Sequence, residues 1–391
     1  MRLALNGWFY DQPHTGSGQY LRELLAQLLA IAPDVELILV APEHATRNTQ
    51  YSIPNTQESR LTFHVLHASN SNLGKVRFEQ LAFPKACRNL EADLAHIPYW
   101  APPLASPVPF VVTIHDIMPI LLPEYRDDFR VRLYNALVSA ATPGAAHIIA
   151  DSEASKADIV QRLRMPMDKV TAIHLAVGPQ YKPSPNFLTD AAVRQKYNLP
   201  DSYVLYLGGF HPRKNVSNLL AAWTWCDGPL GEYYPLIIAG KLLEPGDRFH
   251  DDLPGYVKQL GIESSVRFIG PVDEDDKPAL YRGAACFVFP SRYEGFGLPP
   301  LEAIACGVPV VTTAFSSIPE VVGEAAYLVA DPDDTRALGA AIIAVVVEPE
   351  LVDRLTTKGR EQVKKFSWER TAAETAAVYR KVLEKPQGRR Q

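Results

Sequence analysis

The sequence lacks an excess of basic charge and contains few cysteines. Its 391 residues carry 39 lysines and arginines against 44 aspartates and glutamates, a formal net charge of −5. Binding to nucleic-acid phosphates calls for a basic field, so composition gives nucleic-acid binding no support. The four cysteines show no CxxC or Cys/His spacing, which argues against a zinc site or a disulfide framework. We expect buried free thiols, above all at Cys286 and Cys306, as a reducing cytoplasm would allow.

Long hydrophobic runs are also missing. The uncharged stretch 134–150 is interrupted by Pro143-Gly144, and the apolar stretch 340–347 is far shorter than the ~20 residues needed to span a bilayer. The apolar part of MRLALNGWFYD is too short for a signal peptide, and we expect it to be a first strand. These features predict a cytoplasmic chain without membrane spans. Peripheral contact with the inner face of the membrane stays open.

What the sequence does contain is an alternation of short apolar runs and helical patterns. Leucines 21, 24, 25, 28 and 29 have the spacing of an amphipathic helix. The predicted strands of the first half are Leu3–Leu5, Val35–Val40, Leu61–Val65, Phe110–Ile114 and His147–Ala150. Those of the second half are Tyr203–Leu207, Leu236–Ala239, Val266–Ile269, Cys286–Phe289, Val308–Thr312 and Ala326–Val329. This pattern predicts two doubly wound, Rossmann-like α/β domains, with ligands beyond the carboxyl ends of the strands.

A polar, proline-bearing stretch over 178–200 is the expected link between the two domains. We place an N-terminal domain at 1–180 and a C-terminal domain at 181–371. The final helical segment has a candidate N-cap at Ser367. Its last part, 372–391, is expected to pack back on the N-terminal domain.

The most specific motif is SRYEGFGLPPLEAIACGVPVV, residues 291–311, which follows a predicted strand. Gly295 and Gly297 allow close backbone approach to a ligand. Pro299-Pro300 suits the start of a helix, and Gly307 suits its end. The loop Gly295, Phe296, Gly297 and Leu298 therefore opens onto a helix N-terminus, where amide groups and the helix dipole favour a phosphate. A structural Gly/Pro turn is the alternative.

Two glutamates frame this loop. Glu294 lies in the turn after the strand, and Glu302 is expected in the first helical turn. A carboxylate near a phosphate site can accept hydrogen bonds from both hydroxyls of a ribose, although the helix dipole alone would also explain an acid there.

EGFGLPPLE resembles the Glu–seven residues–Glu signature of family 4, the retaining glycosyltransferases with the GT-B fold. The resemblance extends over nearly the whole chain. It implies two Rossmann-like domains facing each other across a cleft and transfer of a sugar from a nucleotide-sugar donor. It also implies that Glu294 lies beside the donor sugar and that Glu302 holds the ribose.

A second motif, YLGGFHPRKN at 206–215, places Arg213 and Lys214 after a strand. Adjacent cations can neutralise a diphosphate leaving group, although a solvated basic turn is the commoner fate of such a pair. The resemblance favours the diphosphate site. Some relatives carry an arginine where Gly209 stands here. The resemblance therefore does not say which phosphate contacts Arg213 makes and which Lys214 makes.

The third motif is VVTIHDIMP, residues 111–119. From the residues alone, His115 is better explained as a satisfied rim or core histidine. The resemblance implies instead that it contacts the donor sugar, with Asp116 beside it to orient the imidazole.

HTGSGQYLREL, residues 14–24, begins like a dinucleotide-binding fingerprint at Gly16, Ser17 and Gly18. Leu21 occupies the place of the third glycine, and no suitably placed acid follows the second strand. An NAD(P)-dependent oxidoreductase is therefore the weaker alternative. The resemblance makes this segment a loop near the donor phosphates and the acceptor.

Several smaller matches complete the predicted site. The resemblance suggests that Lys241 approaches the phosphates and that the backbone of Gly270 and Val272 contacts the base. The stretch DEDD, 273–276, contains Asp-x-Asp, but we interpret it as the acidic start of a helix. We therefore predict no metal and no separate cofactor.

Donor choice follows from resemblance to bacterial mannosyltransferases of cell-surface polysaccharide synthesis, which implies GDP-mannose. UDP-glucose or another UDP-sugar is the alternative donor, and a non-catalytic nucleotide-sugar-binding protein is the alternative class. A glycan or lipid-linked sugar is the expected acceptor. The segment Val76–Arg88 could form an amphipathic helix on a membrane, although ordinary packing explains it equally well.

Overall fold

The computed structural model describes residues 1–12, 14–46, 60–125, 128–183 and 187–384. The chain divides into two compact units: unit 1 comprises residues 1–175 and 367–391, and unit 2 comprises residues 176–366. The sequence-based boundaries, at 180/181 and 371/372, lie five residues later in each case. The part of the C-terminal segment over 385–391 lies outside the described residues.

In its described residues, unit 1 contains a parallel sheet of seven strands. The strands are β1 Arg2–Asn6, β2 Glu36–Pro42, β3 Leu61–Leu66, β4 Leu94–Ile97, β5 Phe110–Ile114, β6 His147–Ala150 and β7 Val170–Ala172, and their order in the sheet is β3-β2-β1-β4-β5-β6-β7. The helices are α1 Gly16–Ile31, α2 Asn72–Arg77, α3 Phe83–Asn89, α4 Met118–Leu121, α5 Phe129–Ala141, α6 Glu153–Arg162 and, from the end of the chain, α15 Trp368–Glu384.

Unit 2 contains a parallel sheet of six strands, β8 Tyr203–Leu207, β9 Leu236–Ala239, β10 Val266–Gly270, β11 Ala284–Phe289, β12 Val310–Thr313 and β13 Ala326–Val329, in the order β10-β9-β8-β11-β12-β13. Its helices are α7 Phe187–Lys196, α8 Val216–Leu230, α9 Leu253–Leu260, α10 Lys277–Gly283, α11 Leu298–Ala305, α12 Ile318–Val322, α13 Thr335–Val347 and α14 Pro349–Val363.

Burial explains why these segments form a doubly wound fold. The leucines that predicted α1 are all buried, and strands such as β5 and β8 are buried along their whole length. A strand in a parallel sheet that is covered on both faces must be apolar on both faces, as these strands are. All four cysteines are free and buried, as expected.

Two strands and one helix depart from the predictions. The strands β4 and β7 were not predicted, because β7 has only three residues and the four residues of β4 run directly into a proline-bearing stretch that starts at Pro98. The predicted link at 178–200 is wrong in extent, because it contains helix α7 and lies within unit 2.

The predicted amphipathic helix over Val76–Arg88 is also interrupted. A π-helical stretch, Phe78–Ala82, separates α2 from α3, and Phe78 and Phe83 are buried in the core of unit 1. These two aromatic side chains therefore pack against the protein. No helix within the described ranges has the length and apolar character needed to cross a membrane.

The strand order reverses once in each sheet. In unit 1, β1 pairs with both β2 and β4; in unit 2, β8 pairs with both β9 and β11. Doubly wound sheets bind ligands at such a switch point, beyond the carboxyl ends of the two strands that meet there. The β1/β4 and β8/β11 ends are therefore the places to examine for a site.

Candidate functional site

The basic pair of unit 2 lies at the carboxyl end of β8. Pro212–Lys214 forms a 3₁₀ turn, and Asn215 then adopts a left-handed conformation with φ of 60° before α8 begins. The side-chain Nδ2 of Asn215 donates to the Pro332 carbonyl at 2.6 Å, which holds this turn in place. The Arg213 carbonyl accepts hydrogen bonds from Ser291 Oγ and the Arg292 amide. The loops after β8 and β11 are thereby joined at the switch point.

Arg213 and Lys214 converge on one carboxylate oxygen. Glu294 Oε1 accepts from Arg213 Nη1 at 2.6 Å, from Lys214 Nζ at 2.7 Å and from Ser291 Oγ at 2.5 Å. Burial acts to raise the pKa of Glu294, but the Lys214 and Arg213 charges outweigh it and lower the pKa to about 2. The carboxylate is therefore ionised, and the three charged groups together carry one net positive charge.

Each cation has a further contact that distinguishes it. Arg213 Nη1 also donates to the Tyr293 carbonyl at 3.0 Å, whereas Lys214 Nζ lies 4.6 Å from the centre of the Phe289 ring. A cation over an aromatic face is stabilised by the ring quadrupole. Lys214 is also the more deeply buried of the two, with 9% of its surface exposed.

Gly209 has space for a larger residue. A Cβ there would have His211 Cδ2 as its nearest neighbour, at 3.8 Å, and the backbone needs no positive φ. The Gly209 carbonyl accepts from Tyr206 at 2.6 Å, a bond that a side chain would not remove. Conformation therefore does not explain why a glycine, and not an arginine, stands at this position.

Helix α11 begins directly after Gly297, one residue before the predicted start at Pro299-Pro300. Gly297 has φ of 111°, and an added Cβ would lie 2.7 Å from Ile318 Cδ1. Leu298 is the first helical residue, followed by Pro299 and Pro300, so only one of the first three helical residues keeps an amide hydrogen. The helix end therefore offers fewer donors to an anion than the motif alone suggested.

Two serines that the sequence analysis did not single out hold the loop over 294–296. Ser316 and Ser317 follow β12, and their hydroxyls donate to the Glu294 carbonyl; Ser317 Oγ also donates to the Phe296 carbonyl at 2.6 Å. Ser316 has φ of 56°, an uncommon conformation for a residue with a side chain. The run SSIPEVV, residues 316–322, which follows β12, was the available signal for this support.

Glu302 lies deeper than expected. It is the fifth residue of α11, in the second helical turn and not the first, so the helix dipole explains its presence less well. Tyr281 donates to Glu302 Oε2 at 2.9 Å, and Tyr181 lies beside the same carboxyl group. Burial raises the pKa of Glu302, although Lys277 and the Tyr281 hydrogen bond oppose this.

The other predicted contacts of unit 2 lie at the ends of β9 and β10. Gly270 ends β10 with φ of 74°, and its carbonyl accepts from the Gly240 amide at 2.8 Å. Val272 packs against the core, whereas Lys241 is exposed. In the acidic stretch, Asp273 and Asp276 both accept from Lys196 Nζ at 2.6 Å, which gives these acids a local partner.

In unit 1, His115 follows β5 and is held by two acceptors. Its Nδ1 lies 2.8 Å from Asp151 Oδ2, and its Nε2 lies 3.1 Å from the Pro98 carbonyl. A carbonyl and a carboxylate both accept, so both ring nitrogens donate and the imidazole is protonated in this arrangement. Burial acts to lower the pKa of His115, but the Asp151 charge and hydrogen bond outweigh it and raise the pKa.

The prediction that Asp116 orients His115 is wrong. Asp116 Oδ1 accepts from the amide of Met118, the first residue of α4, at 3.0 Å, while Asp151, directly after β6, is the carboxylate on the ring. Since β5 and β6 are neighbours in the sheet, their carboxyl ends bring His115 and Asp151 together.

Beneath His115 runs a buried chain of hydrogen bonds. Tyr20 Oη lies 3.1 Å from Thr113 Oγ1, Thr113 Oγ1 lies 2.9 Å from His96 Nε2, and Tyr379 Oη lies 2.7 Å from His96 Nδ1. Burial, with the nearby His115, lowers the pKa of His96 to about 3, so this ring is neutral. The chain fastens α15 to the sheet of unit 1.

The GxG segment of unit 1 starts α1. Thr15 caps the helix by accepting from the Gly18 amide at 3.1 Å. An added Cβ at Gly18 would lie 2.0 Å from the Gln12 carbonyl oxygen, whereas one at Gly16 would have no neighbour within 4 Å. Close backbone packing therefore explains Gly18. Gly16 is exposed and Ser17 partly so, at the helix end.

Comparison with known proteins places these features in a family. The model described as "Glycosyl transferases group 1" matches residues 190–362, and "Glycosyltransferase Family 4" matches residues 14–181. O-antigen chain mannosyltransferase B of Escherichia coli is 33% identical over 378 residues, covering 94% of this chain and 96% of that protein. The serotype-specific mannosyltransferase WbdA of E. coli is 28% identical over 83% of this chain, which corresponds to 43% of that longer protein.

Among solved structures, Anabaena Alr3699/HepE in complex with UDP-glucose is similar with a TM-score of 0.75 and 18% identity, covering 97% of this chain and all of that one. This likeness concerns the fold, which is GT-B. Taken together, the two matched models and the full-length relative show that the chain belongs to the group 1, family 4 glycosyltransferases.

Proposed function

We propose that the protein transfers a mannosyl group from GDP-mannose, with retention of anomeric configuration, to a glycan or lipid-linked sugar in cell-surface polysaccharide synthesis. The names of the E. coli relatives, one an O-antigen chain mannosyltransferase and one a serotype-specific mannosyltransferase, support the sugar and the process. Peripheral contact with the cytoplasmic face of a membrane would suit a lipid-linked acceptor and belongs to the same proposal.

The observation that carries the proposal is the convergence of Arg213 and Lys214 on Glu294 at the β8/β11 switch point. When the nucleoside diphosphate departs, negative charge grows on its phosphate oxygens, and fixed cations stabilise that charge best in a site with little water. The surplus positive charge of the cluster suits a diphosphate. On its arrival, Glu294 becomes available to accept hydrogen bonds from hydroxyls of the donor sugar.

In this proposal a phosphate oxygen of the leaving group accepts the proton of the attacking acceptor hydroxyl. The protein then supplies positioning and charge, and it needs neither a general base nor a metal. Glu302 would hold the ribose, and the backbone of Gly270 and Val272 would meet the base. Undiminished turnover in EDTA is the expected result for a metal-independent enzyme.

His115 is the proposed contact of unit 1 with the donor sugar. Both of its N–H groups are engaged in this structure, so a hydrogen bond to a sugar hydroxyl requires exchange of the Pro98 carbonyl bond. A protonated imidazole would donate to that hydroxyl. Because it is itself positively charged, it would not stabilise positive charge on a carbon of the sugar ring, so its role would be to orient the donor sugar.

The test is hydrolysis and transfer with sugar nucleotides supplied one at a time. We expect GDP-mannose to be consumed fastest; a clear preference for UDP-glucose would select the alternative donor. Lys214→Ala and Glu294→Ala should each lower turnover by roughly 100-fold or more in folded protein, since each removes a charged group at the developing charge. Lys358→Ala is the control, because its partner Glu324 lies with it at the surface.

Wild-type-like turnover of either site variant would contradict the assigned roles. Binding of sugar nucleotides without hydrolysis or transfer of any of them would favour the non-catalytic alternative.

A further inference from the structure

A second cluster of charged and aromatic groups in unit 1 surrounds Lys75. Lys75 Nζ lies over three rings, at 4.9 Å from the centre of Phe9, 5.2 Å from Tyr99 and 5.5 Å from Tyr134. Behind it, Glu79 is fully buried and accepts from the Tyr134 hydroxyl at 3.1 Å. We name these five residues the Lys75 cage.

The cage holds hydrogen-bond donors that the described part of the protein does not use. The Lys75 ammonium is 3.6 Å from Glu79 Oε1, longer than an N–H···O hydrogen bond, and no other described oxygen accepts from it. Its side chain is 25% exposed, which leaves the ammonium within reach of a ligand.

Asn6 adds an independent observation. Its side chain is fully buried, and its Oδ1 accepts from the Tyr99 hydroxyl at 3.2 Å and from the Trp8 amide at 3.1 Å. Its Nδ2 has no hydrogen-bond partner among the described residues. A buried amide hydrogen without a partner costs about 1–3 kcal/mol. Its presence beside the cage therefore indicates that a ligand bound there accepts this hydrogen, either directly or through a water molecule.

Topology puts this cluster where a doubly wound sheet binds ligands. Asn6 is the last residue of β1, and Tyr99 follows the end of β4, so both lie at the switch point of unit 1. The π-helical stretch supplies Glu79, and its next residue, Gln80, is bonded to the backbone of Pro102 and Leu104. Single-turn π segments are rare and occur often at functional sites.

We propose that the Lys75 cage binds the acceptor, as a neutral sugar ring whose hydroxyl oxygens accept hydrogen bonds from Lys75. This inference rests on the proposed transferase function, since it names the second substrate of the same reaction. The half-buried rings of Phe9 and Tyr134 offer apolar faces to the C–H groups of a sugar, and Lys75 offers the donors between them.

The charges favour a neutral sugar over a phosphorylated one. Glu79 is the counter-ion of Lys75, so the cage has no surplus positive charge for a phosphate when both are ionised. An anion bound to the ammonium would also approach the buried carboxylate, which repels it.

The test separates acceptor binding from donor chemistry. Lys75→Met keeps the length of the side chain and its packing on the rings but removes the charge and all three donors. Lys75→Met combined with Glu79→Gln avoids leaving a buried carboxylate without its partner, and keeps the test valid if the single variant fails to fold. Lys156→Met is the control, because Lys156 also pairs with a helical glutamate in unit 1, Glu153.

Binding of neutral di- and trisaccharides of mannose, glucose, galactose and N-acetylglucosamine is measured by saturation-transfer NMR, and donor hydrolysis and transfer are measured in parallel. We expect the double variant to weaken sugar binding and to raise the acceptor KM by roughly 10- to 100-fold, the worth of a charged hydrogen bond. Donor hydrolysis in water and the donor KM should stay within about twofold, as they should in Lys156→Met.

Several results would overturn the proposal. An unchanged acceptor KM in the folded double variant would do so, as would failure of every neutral sugar to bind the wild type. Preferential binding of mannose 6-phosphate, abolished by the same substitutions, would replace the neutral ligand by an anionic one. Sugar binding that depends on Lys75 in a protein that hydrolyses no donor would keep the cage and refute the transferase function instead.

Discussion

The most direct test of the geometry around His115 is the substitution Asp151→Asn. Asp151 Oδ2 lies 2.8 Å from His115 Nδ1, and the asparagine amide oxygen can take the same position without a charge. The variant therefore keeps the shape and removes the Asp151 charge, the largest of the influences that raise the pKa of His115. A hydrogen bond to a charged group contributes about 1.5–3 kcal/mol and a neutral one about 0.5–1.5. The imidazolium should lose about 1–2 kcal/mol, or roughly 5- to 30-fold in proton affinity.

The measurement is an NMR titration of the His115 Cε1 proton, assigned with His115→Gln. Asp116→Asn is the matched control, because Asp116 is the neighbour in sequence, its Oδ1 accepts from the Met118 amide, and its charge raises the pKa of His115 less than that of Asp151 does. The other groups around the ring are Tyr20, in edge contact at 5.1 Å, and neutral His96. We expect a clearly smaller change in the control. An unchanged titration in Asp151→Asn, or a larger one in Asp116→Asn, would refute the assignment.

The His115–Asp151 pair also determines the direction in which stability changes with pH. The folded pKa of His115 lies above its unfolded value, so its contribution to the free energy of unfolding is complete below the unfolded pKa and is lost as the pH rises through the folded pKa. In Asp151→Asn, the free energy of unfolding that is lost as the pH rises should be smaller. Urea unfolding across this range, compared between wild type and variant, checks the sign.

Two further substitutions test how the framework is held. Gly297→Ala should lower the free energy of unfolding by about 1–3 kcal/mol, because φ is 111° and the added Cβ would lie 2.7 Å from Ile318. Gly16→Ala is the control: its Cβ has no neighbour within 4 Å, so its free energy of unfolding should stay within about 0.5 kcal/mol of the wild type in the same urea assay. Tyr379→Phe should cost about 1–3 kcal/mol, because it leaves buried His96 Nδ1 without its 2.7 Å partner; a change below 0.5 kcal/mol would show that the bond does not fasten α15.

The local pattern of apolar and capping residues was sufficient to predict most of the strands and helices. The strands β5, β6, β8, β9 and β13 have the predicted bounds, because each is a run of four or five mostly apolar residues. Ser367 accepts from the Arg370 amide at 3.1 Å, so the N-cap of α15 follows the prediction too. These features depend on residues close in the sequence, and propensity and capping determine them locally.

The partners of the site residues could not be predicted in the same way. His115 and Asp151 are 36 residues apart and meet only because β5 and β6 are adjacent in the sheet. The bond from Ser317 to the Phe296 carbonyl likewise depends on β11 and β12 being neighbours. Strand order is a long-range property, and a motif names the residues after a strand without naming the strand beside it.

The two switch points differ in charge, and that difference matches the two substrates of the proposed reaction. In unit 2 one carboxylate, Glu294, faces two cations, so a positive charge remains for a donor that carries a diphosphate. In unit 1 one carboxylate, Glu79, faces a single cation that lies over aromatic rings, so none remains, and a neutral sugar suits the donors of Lys75. A cation added to the cage should therefore admit phosphorylated ligands. Tyr134→Lys, placed on the cage rim, is expected to bind mannose 6-phosphate more tightly than the wild type does, with a steep loss of that binding at high salt. Equal binding of the phosphorylated sugar by both proteins would mean that charge balance does not set this preference.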